Sequence, residues 1–310
     1  MRHLVSIEDL SREEIEEVFG LTDDAKNGHI RKYDELGLKA GLLFFEPSTR
    51  TRQSFENAFK ELGIETMGFA SSAGTSIEKG ESKGDTVMLY VKSYGCNFIV
   101  VRSKERGVAR YFMKLVGDEA CIINAGDGAN EHPTQALLDL YTIKELHGKI
   151  DGLIVGFMGD LRNSRVYHSN LLALLNYDIN EIILICPETL RLPFYYELRL
   201  KMAGVSYRYA SITEWKEIIK EMDVLYVTRI QKERFSDPLE YERVKGSYRL
   251  TLESLDGAKD NLIILHPLPR IDEIDLRIDQ TPYAAYWKQA ENGYWVRIGL
   301  IEWLVEENYG

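Results

Sequence analysis

Short β-branched and aliphatic runs alternate along the whole chain with stretches of helical apolar spacing, and this alternation limits the fold more than any other feature. Strand-like runs stand at Gly41–Phe45, Phe98–Arg102 and Cys121–Asn124, then at Leu153–Met158, Glu181–Cys186, Val224–Thr228 and Leu262–Leu265. Between them lie helical signals. Ser11-Arg12-Glu13-Glu14 reads as a capping box ahead of Ile15, Val18 and Phe19. Phe55, Ala58, Phe59 and Leu62 recur at helical spacing, and Gly63 is placed to close that helix. Pro133 fits the first turn of a helix carrying Ala136, Leu137, Leu140 and Tyr141. The expectation is α/β, with two doubly wound parallel-sheet domains linked by helices, over residues 1–133 and 134–287. A C-terminal helix over about 288–307 is expected to pack back on the first domain.

In such folds ligands collect at the carboxyl ends of the strands, so the active site is expected in a cleft between the domains. The conspicuous polar residues fall there: Ser48–Arg52, Arg102, His132, Arg165, Arg229 and His266. Ser48-Thr49-Arg50-Thr51-Arg52 carries three hydroxyls and two guanidiniums where a buried strand runs into a helix. Free N–H groups and the helix dipole already favour an anion at that end. Ser48 can cap the helix, Thr49 and Thr51 add neutral donors, and Arg50 adds a fork suited to phosphate. Arg102 ends its strand. His132 follows the glycine-rich turn Gly126-Asp127-Gly128 and precedes Pro133, a helix entrance that favours a neutral imidazole donor. Gln135, three residues on, offers an amide donor and acceptor to the same ligand.

The second set has its own cations. Arg165 lies beyond the strand ending at Gly159-Asp160, and Arg229, with Gln231 beyond it, follows the strand ending at Thr228. Two arginines on one rim suit a small dicarboxylate, each forking onto one carboxylate. His266-Pro267-Leu268-Pro269-Arg270 reads either as a plain rigid turn or as a turn exposing the Leu268 carbonyl to a substrate amine.

Net charge is −11, which argues against a dedicated nucleic-acid protein. No apolar run approaches the roughly 20 residues that span a bilayer, and the first residues hold no apolar signal core, so a cytoplasmic location is expected. Cys96, Cys121 and Cys186 lie far apart and read as reduced thiols. The glycine-rich turn has Glu131 where a dinucleotide fingerprint needs its third glycine. No phosphate-binding Walker loop is present, and the six histidines form no metal motif such as H-E-x-x-H. No cofactor and no metal are expected.

The chain resembles the aspartate carbamoyltransferase branch of the transcarbamoylase family. The matching stretches are FFEPSTRTRQSFE (44–56), TSIEKGES (75–82), NAGDGANEHPTQALLDLYT (124–142), VLYVTRIQKER (224–234) and ILHPLPRIDEI (264–274), in the family's order. The S-T-R-T-R motif is shared by all transcarbamoylases. HPLPR marks the aspartate branch, since the ornithine branch has Cys after that histidine and a downstream Ser-Met-Gly loop.

The resemblance implies a carbamoyl-phosphate-binding first domain and an aspartate-binding second one. It implies that Ser48, Thr49, Arg50 and Thr51 bind phosphate, that Thr51, Arg102 and His132 polarise the carbonyl, and that Gln135 and the Leu268 carbonyl hold the amino group. Arg165, Arg229 and Gln231 would hold the L-aspartate carboxylates. Ser76 and Lys79 would lie on a loop reaching the active site of a neighbouring subunit in a homotrimer, Lys79 toward aspartate. A zinc-bearing regulatory chain or another enzyme of pyrimidine biosynthesis is the further partner the family allows. Two departures stand out. The spacing from Ser76 to Lys79 is shortened, so either Thr75 or Ser76 could supply the loop hydroxyl, and Lys83 stands where the family often has Leu. Val166 follows Arg165 where some members have Thr, which removes a hydroxyl beside the aspartate site.

Overall fold

The computed structural model describes residues 1–211, 214–232, 235, 237–246 and 248–310. The chain divides into two compact units, residues 1–138 with 291–310, and residues 139–290. The division falls inside one helix near its start and inside the C-terminal helix.

The first unit holds α1 (Arg12–Lys26), β1 (Lys39–Phe44), α2 (Thr49–Glu61), β2 (Glu65–Phe69), α3 (Lys83–Lys92), β3 (Phe98–Ser103), α4 (Val108–Val116), β4 (Cys121–Asp127) and the start of α5 (Pro133–His147). Among the described residues its sheet is four-stranded and parallel throughout, in the order β2-β1-β3-β4. Both faces are covered, which is why β1, β3 and β4 read as continuous apolar runs. On one face Leu43, Ile99, Val101 and Ile122 pack with Val87 and Val91 of α3 and Phe112 and Val116 of α4. On the other, Phe59 of α2 lies 5.7 Å from the Phe98 ring. Burying each such aromatic contributes roughly 1.5–3 kcal/mol.

The capping box at Ser11 and Glu14 starts α1 as the sequence predicts. Gly63 follows the end of α2 at φ +76°, where a Cβ would meet the Asp34 carboxylate at 2.4 Å. The three thiols are buried and unbridged. Burial pushes Cys96 up to about 11 and Cys186 up to about 12, so neither is a ready nucleophile.

The second unit continues with β5 (Ile154–Met158), α6 (Arg165–Leu174), β6 (Glu181–Ile185), α7 (Phe194–Met202), β7 (Tyr207–Ala210), α8 (Trp215–Ile218), β8 (Val224–Val227), α9 (Pro238–Val244), β9 (Ile263–Leu265) and the start of α10 (Tyr286–Tyr309). Its described sheet has five parallel strands in the order β7-β6-β5-β8-β9. The core gathers Met158, Ile183, Ile185, Leu225, Val227 and Ile264 with Trp215, Ile219 and Tyr286. From Glu291 onward, α10 belongs to the first unit. There Arg297 lies 5.0 Å over the Phe55 ring and its Nη1 donates to Ser54 Oγ at 3.0 Å.

Two strands escape the sequence reading. β2 and β7 each form a sheet edge and, unlike the edges β4 and β9, are only partly buried, so neither carries a continuous apolar run. One expected bond is also corrected. Ser48 occupies the N-cap position of α2, but its side chain makes no capping bond.

Candidate functional site

The parallel sheet of the first unit aligns its candidate residues. β1, β3 and β4 are neighbours, so the segments leaving their carboxyl ends emerge side by side. β1 runs into the mouth of α2. Ser48, Thr49, Arg50 and Thr51 make no side-chain hydrogen bond or ion pair among the described residues. Thr51 is buried, and Thr49 and Arg50 are exposed. Desolvation lowers the Arg50 pKa from the usual arginine value, and the group remains a cation. Arg52 differs, because it pairs with Glu56 one helical turn on at 2.8 Å. Of the two arginines in the motif, Arg50 is the one left for an anion.

Arg102 sits opposite Phe44 in the β1–β3 register. The Phe45 and Glu46 N–H groups donate to its carbonyl at 2.8 and 3.2 Å. Its guanidinium donates to the Ala125 carbonyl at 3.2 Å and lies 3.7 Å from the Glu46 carboxylate. The side chain is thus held from both neighbouring segments, toward β1 and toward β4.

Beyond β4 the chain is clasped by Asp127. Its carboxylate accepts from Gly107 N–H at 2.7 Å, from Asn124 Nδ2 at 3.1 Å, from Asn130 Nδ2 at 3.0 Å and from Glu131 N–H at 3.0 Å. Gly128 turns at φ +62°, where a Cβ would stand 2.5 Å from the Lys104 carbonyl. His132, buried, then occupies the entrance of α5. Its carbonyl accepts the Gln135 and Ala136 N–H groups, and its Nδ1 lies 3.4 Å from Thr134 Oγ1. Gln135 is half-buried in the first turn.

Glu131 is a buried acid beside His132 whose contacts the sequence does not reveal. Its carboxylate accepts from Ser6 Oγ at 2.6 Å and Ile7 N–H at 2.9 Å, tying the start of the chain to the His132 segment. Burial pushes its pKa up to about 7, opposed by those two donors and assisted by the Asp127 and Glu8 carboxylates. The Ser6 hydroxyl lies 125 positions away in the sequence, so no local signal marks the pair.

Lys83 is also fixed on this unit. It bonds Ser103 Oγ at 3.1 Å, pairs with Glu105 at 2.5 Å, and lies 5.3 Å over the Phe45 ring. Ser76 and Lys79 occupy a 3-10 turn and are exposed, with no side-chain hydrogen bond or ion pair among the described residues. The Thr75 hydroxyl donates to the Ser72 carbonyl at 2.6 Å, which leaves Ser76 as the exposed hydroxyl of the pair.

In the second unit β5, β8 and β9 are neighbours and deliver the other candidates. Arg165 is the first residue of α6 and is buried rather than a surface cation. Arg229 and Gln231 are half-buried beyond β8. Glu233 and Arg234, the end of that motif, lie outside the described residues. Asp160, buried at the end of β5, joins the two segments. It accepts from Asn163 N–H at 3.0 Å and Asn163 Nδ2 at 3.1 Å, and from the Gln231 backbone. Burial raises its carboxyl pKa, and those donors oppose the rise. Val166, the departure beside Arg165, is buried, and its carbonyl accepts from Asn170 at 3.0 Å.

Beyond β9 the 266–270 turn is rigid. The Leu268 N–H donates to His266 Nδ1 at 2.8 Å, so the ring proton sits on Nε2, 2.7 Å from Glu273. Leu268 has φ +54°, a left-handed backbone that costs a non-glycine residue about 1–3 kcal/mol. Arg270 is committed to Asp279 and Tyr286. No group of metal-ligating side chains occurs among the described residues.

The two halves of the chain match the two domain models of one family. The carbamoyl-P binding domain of the aspartate/ornithine carbamoyltransferases matches residues 2–145, and the Asp/Orn binding domain matches residues 151–304. The aspartate carbamoyltransferase catalytic subunit of Pyrobaculum arsenaticum is 48% identical over 307 residues, covering 99% of this chain and 98% of that one. The corresponding subunit of Thermococcus onnurineus is 46% identical, covering 97% and 96%. Among solved structures, the catalytic subunit of M. jannaschii aspartate transcarbamoylase superposes with TM-score 0.86 at 42% identity and full coverage of both chains. The Trypanosoma cruzi aspartate transcarbamoylase in complex with carbamoyl phosphate superposes with TM-score 0.87 at 33% identity, covering 97% and 95%. With both halves matched in order and near-half identity from end to end, the chain belongs to the aspartate/ornithine carbamoyltransferase family.

Proposed function

We propose that the chain is an aspartate carbamoyltransferase, which moves the carbamoyl group of carbamoyl phosphate to the α-amine of L-aspartate and releases N-carbamoyl-L-aspartate and phosphate, a step of pyrimidine biosynthesis. The observation that carries this reading is the uncommitted donor set at the mouth of α2, flanked by Arg102 and the His132 segment on adjacent strand ends. The relatives named above support the choice of reaction.

Ser48, Thr49, Arg50, Thr51 and the first N–H groups of α2 take the phosphate, where the helix dipole favours negative charge. Thr51, Arg102 and His132 direct donors at the carbamoyl oxygen, and Gln135 with the Leu268 carbonyl holds the carbamoyl amino group. Arg165, Arg229 and Gln231 hold the two carboxylates of L-aspartate. The neutral amine attacks the carbamoyl carbon, a C–N bond forms, and the carbonyl oxygen becomes an oxyanion. A preorganised donor at that oxygen is worth roughly 3–4 kcal/mol. The C–O bond to phosphate then breaks, and the departing phosphate takes the amine proton. Both half-sites must meet one reactant pair for the amine to reach the carbamoyl carbon.

The trimer and the neighbour's Ser76 and Lys79 belong to the same reading, supported by their exposure. Partnership with a regulatory chain is supported by the relatives' naming as catalytic subunits. A cytoplasmic location accords with the finding that no described helix is long and apolar enough to cross a membrane. Calorimetry with a phosphonate–aspartate bisubstrate mimic, beside an assay offering L-aspartate and L-ornithine, tests the function. Tight 1:1 binding and turnover of aspartate are expected. Preference for ornithine, whose side-chain ammonium faces Arg165 and Arg229, or no turnover of either amine, refutes the reading.

A further inference from the structure

Asp139 carries none of the roles assigned above, yet its carboxylate is fully buried in the apolar run Leu137-Leu138-Asp139-Leu140 of α5. Burying an ionised carboxylate is costly unless hydrogen bonds replace its water. Here Oδ1 accepts from Gln289 Nε2 at 2.6 Å, and Oδ2 accepts from Asn170 Nδ2 at 2.7 Å and the Tyr226 hydroxyl at 2.8 Å. Gln289 Nε2 also lies 3.0 Å from the Tyr226 oxygen, and its Oε1 accepts the His266 N–H at 2.8 Å.

Each donor comes from a different element, and each element carries, precedes or contacts a segment with a candidate site residue. Asn170 lies on α6, which begins at Arg165, and its Nδ2 also donates to the Val166 carbonyl. Tyr226 lies on β8, three residues before Arg229. Gln289 lies in the first turn of α10 and reaches the His266–Leu268 turn. Asp139 itself stands one helical turn after Gln135, on the same face of α5. One carboxylate therefore fixes the registers of α5, α6, β8 and the 266–268 turn.

We propose that Asp139 is a positioning residue for the amino-acid half-site, setting the placement of Arg165 and Arg229 through Asn170 and Tyr226, and that of the Leu268 carbonyl through Gln289. This rests on the transferase reading above. A forked arginine pair tolerates little displacement, and a shift near 1 Å costs on the order of 100-fold in rate.

Asp139→Asn places an amide donor against the Gln289 donor while keeping size and an acceptor for Tyr226 and Asn170. With fold checked by circular dichroism, the expected result is a KM for L-aspartate raised at least about tenfold while the affinity for inorganic phosphate is unchanged. The double variant Asp139→Asn/Gln289→Glu restores donor–acceptor complementarity with the polarity reversed, and it is expected to recover most of the aspartate KM. A folded Asp139→Asn with the wild-type KM overturns the proposal, as does a parallel loss toward both ligands or a folded double variant without recovery. Where Asp139→Asn does not fold, Asn170→Leu removes the α6 contact alone, and an unchanged aspartate KM in that variant overturns the proposal. The wild-type protein separates the two claims. If it turns over no aspartate, the function reading fails; if it does while the variants are silent, only the positioning role fails.

Discussion

Replacing Glu131 with glutamine should stabilise the protein at alkaline pH and change little in acid. Burial, together with the nearby Asp127 and Glu8 carboxylates, pushes the Glu131 pKa from its ordinary 4.5 to about 7 against the Ser6 and Ile7 donors. Below pH 4.5 both folded and unfolded chains carry the proton, and burial of the neutral acid costs nothing further. Between about 4.5 and 7 the unfolded chain ionises while the folded one retains its proton, so stability falls as pH rises. Above 7 both are ionised and the loss is complete. At about 1.4 kcal/mol for each tenfold change in proton affinity, the loss amounts to about 3 kcal/mol. Glutamine never ionises. Its oxygen can accept the Ile7 N–H, and its amide can donate to Ser6 Oγ. For units of this size about 3 kcal/mol corresponds to roughly 6–12 °C in melting temperature. Thermal melts of Glu131→Gln and wild type from pH 4.5 to 8.5 should show near-equal midpoints at the acid end and the full gap above pH 7.5. A gap independent of pH, or a wild type more stable at pH 8.5, would refute the reasoning.

If Thr51 directs its hydroxyl at the carbamoyl oxygen as proposed, Thr51→Val keeps size and removes that donor, and steady-state assays should find kcat reduced roughly 100- to 1,000-fold, with a smaller loss of phosphate affinity. Gly128→Ala forces a Cβ toward the Lys104 carbonyl at φ +62°, and denaturant unfolding should show a loss of about 1–3 kcal/mol. If Ser76 and Lys79 serve a neighbouring subunit, mixing inactive Arg50→Ala and Lys79→Ala chains should restore part of the activity. No recovery after verified subunit exchange counts against sharing.

Much of the fold was legible because parallel strands covered on both faces leave continuous apolar runs, as at Phe98–Val101 and Ile182–Ile185. The edges β2 and β7 were not legible. Glu65-Thr66-Met67-Gly68-Phe69 and Tyr207-Arg208-Tyr209-Ala210 each face water in part and carry no such run. The hydroxyl- and arginine-rich mouth of α2 was legible because its residues are contiguous from Ser48 to Arg52. The buried acids were not, because their partners are remote. Asp139 meets residues 31, 87 and 150 positions away, and Glu131 meets one 125 positions away.

The sequence by itself determined the α/β architecture, the helix mouth charged for an anion and the order of the two halves. These depend on neighbouring residues, since strand and helix periods and N-terminal caps are local properties. Only the tertiary structure decided which charged groups remain available. It commits Arg52 to Glu56 and Arg270 to Asp279, and leaves Arg50 without an ion pair among the described residues. It also made Arg165 a buried cation and buried Asp139, Glu131 and Asp160 against hydrogen-bond donors. The physical reason is that desolvation and hydrogen-bond partners are set by which distant segments pack together, and the local pattern around a residue does not record that.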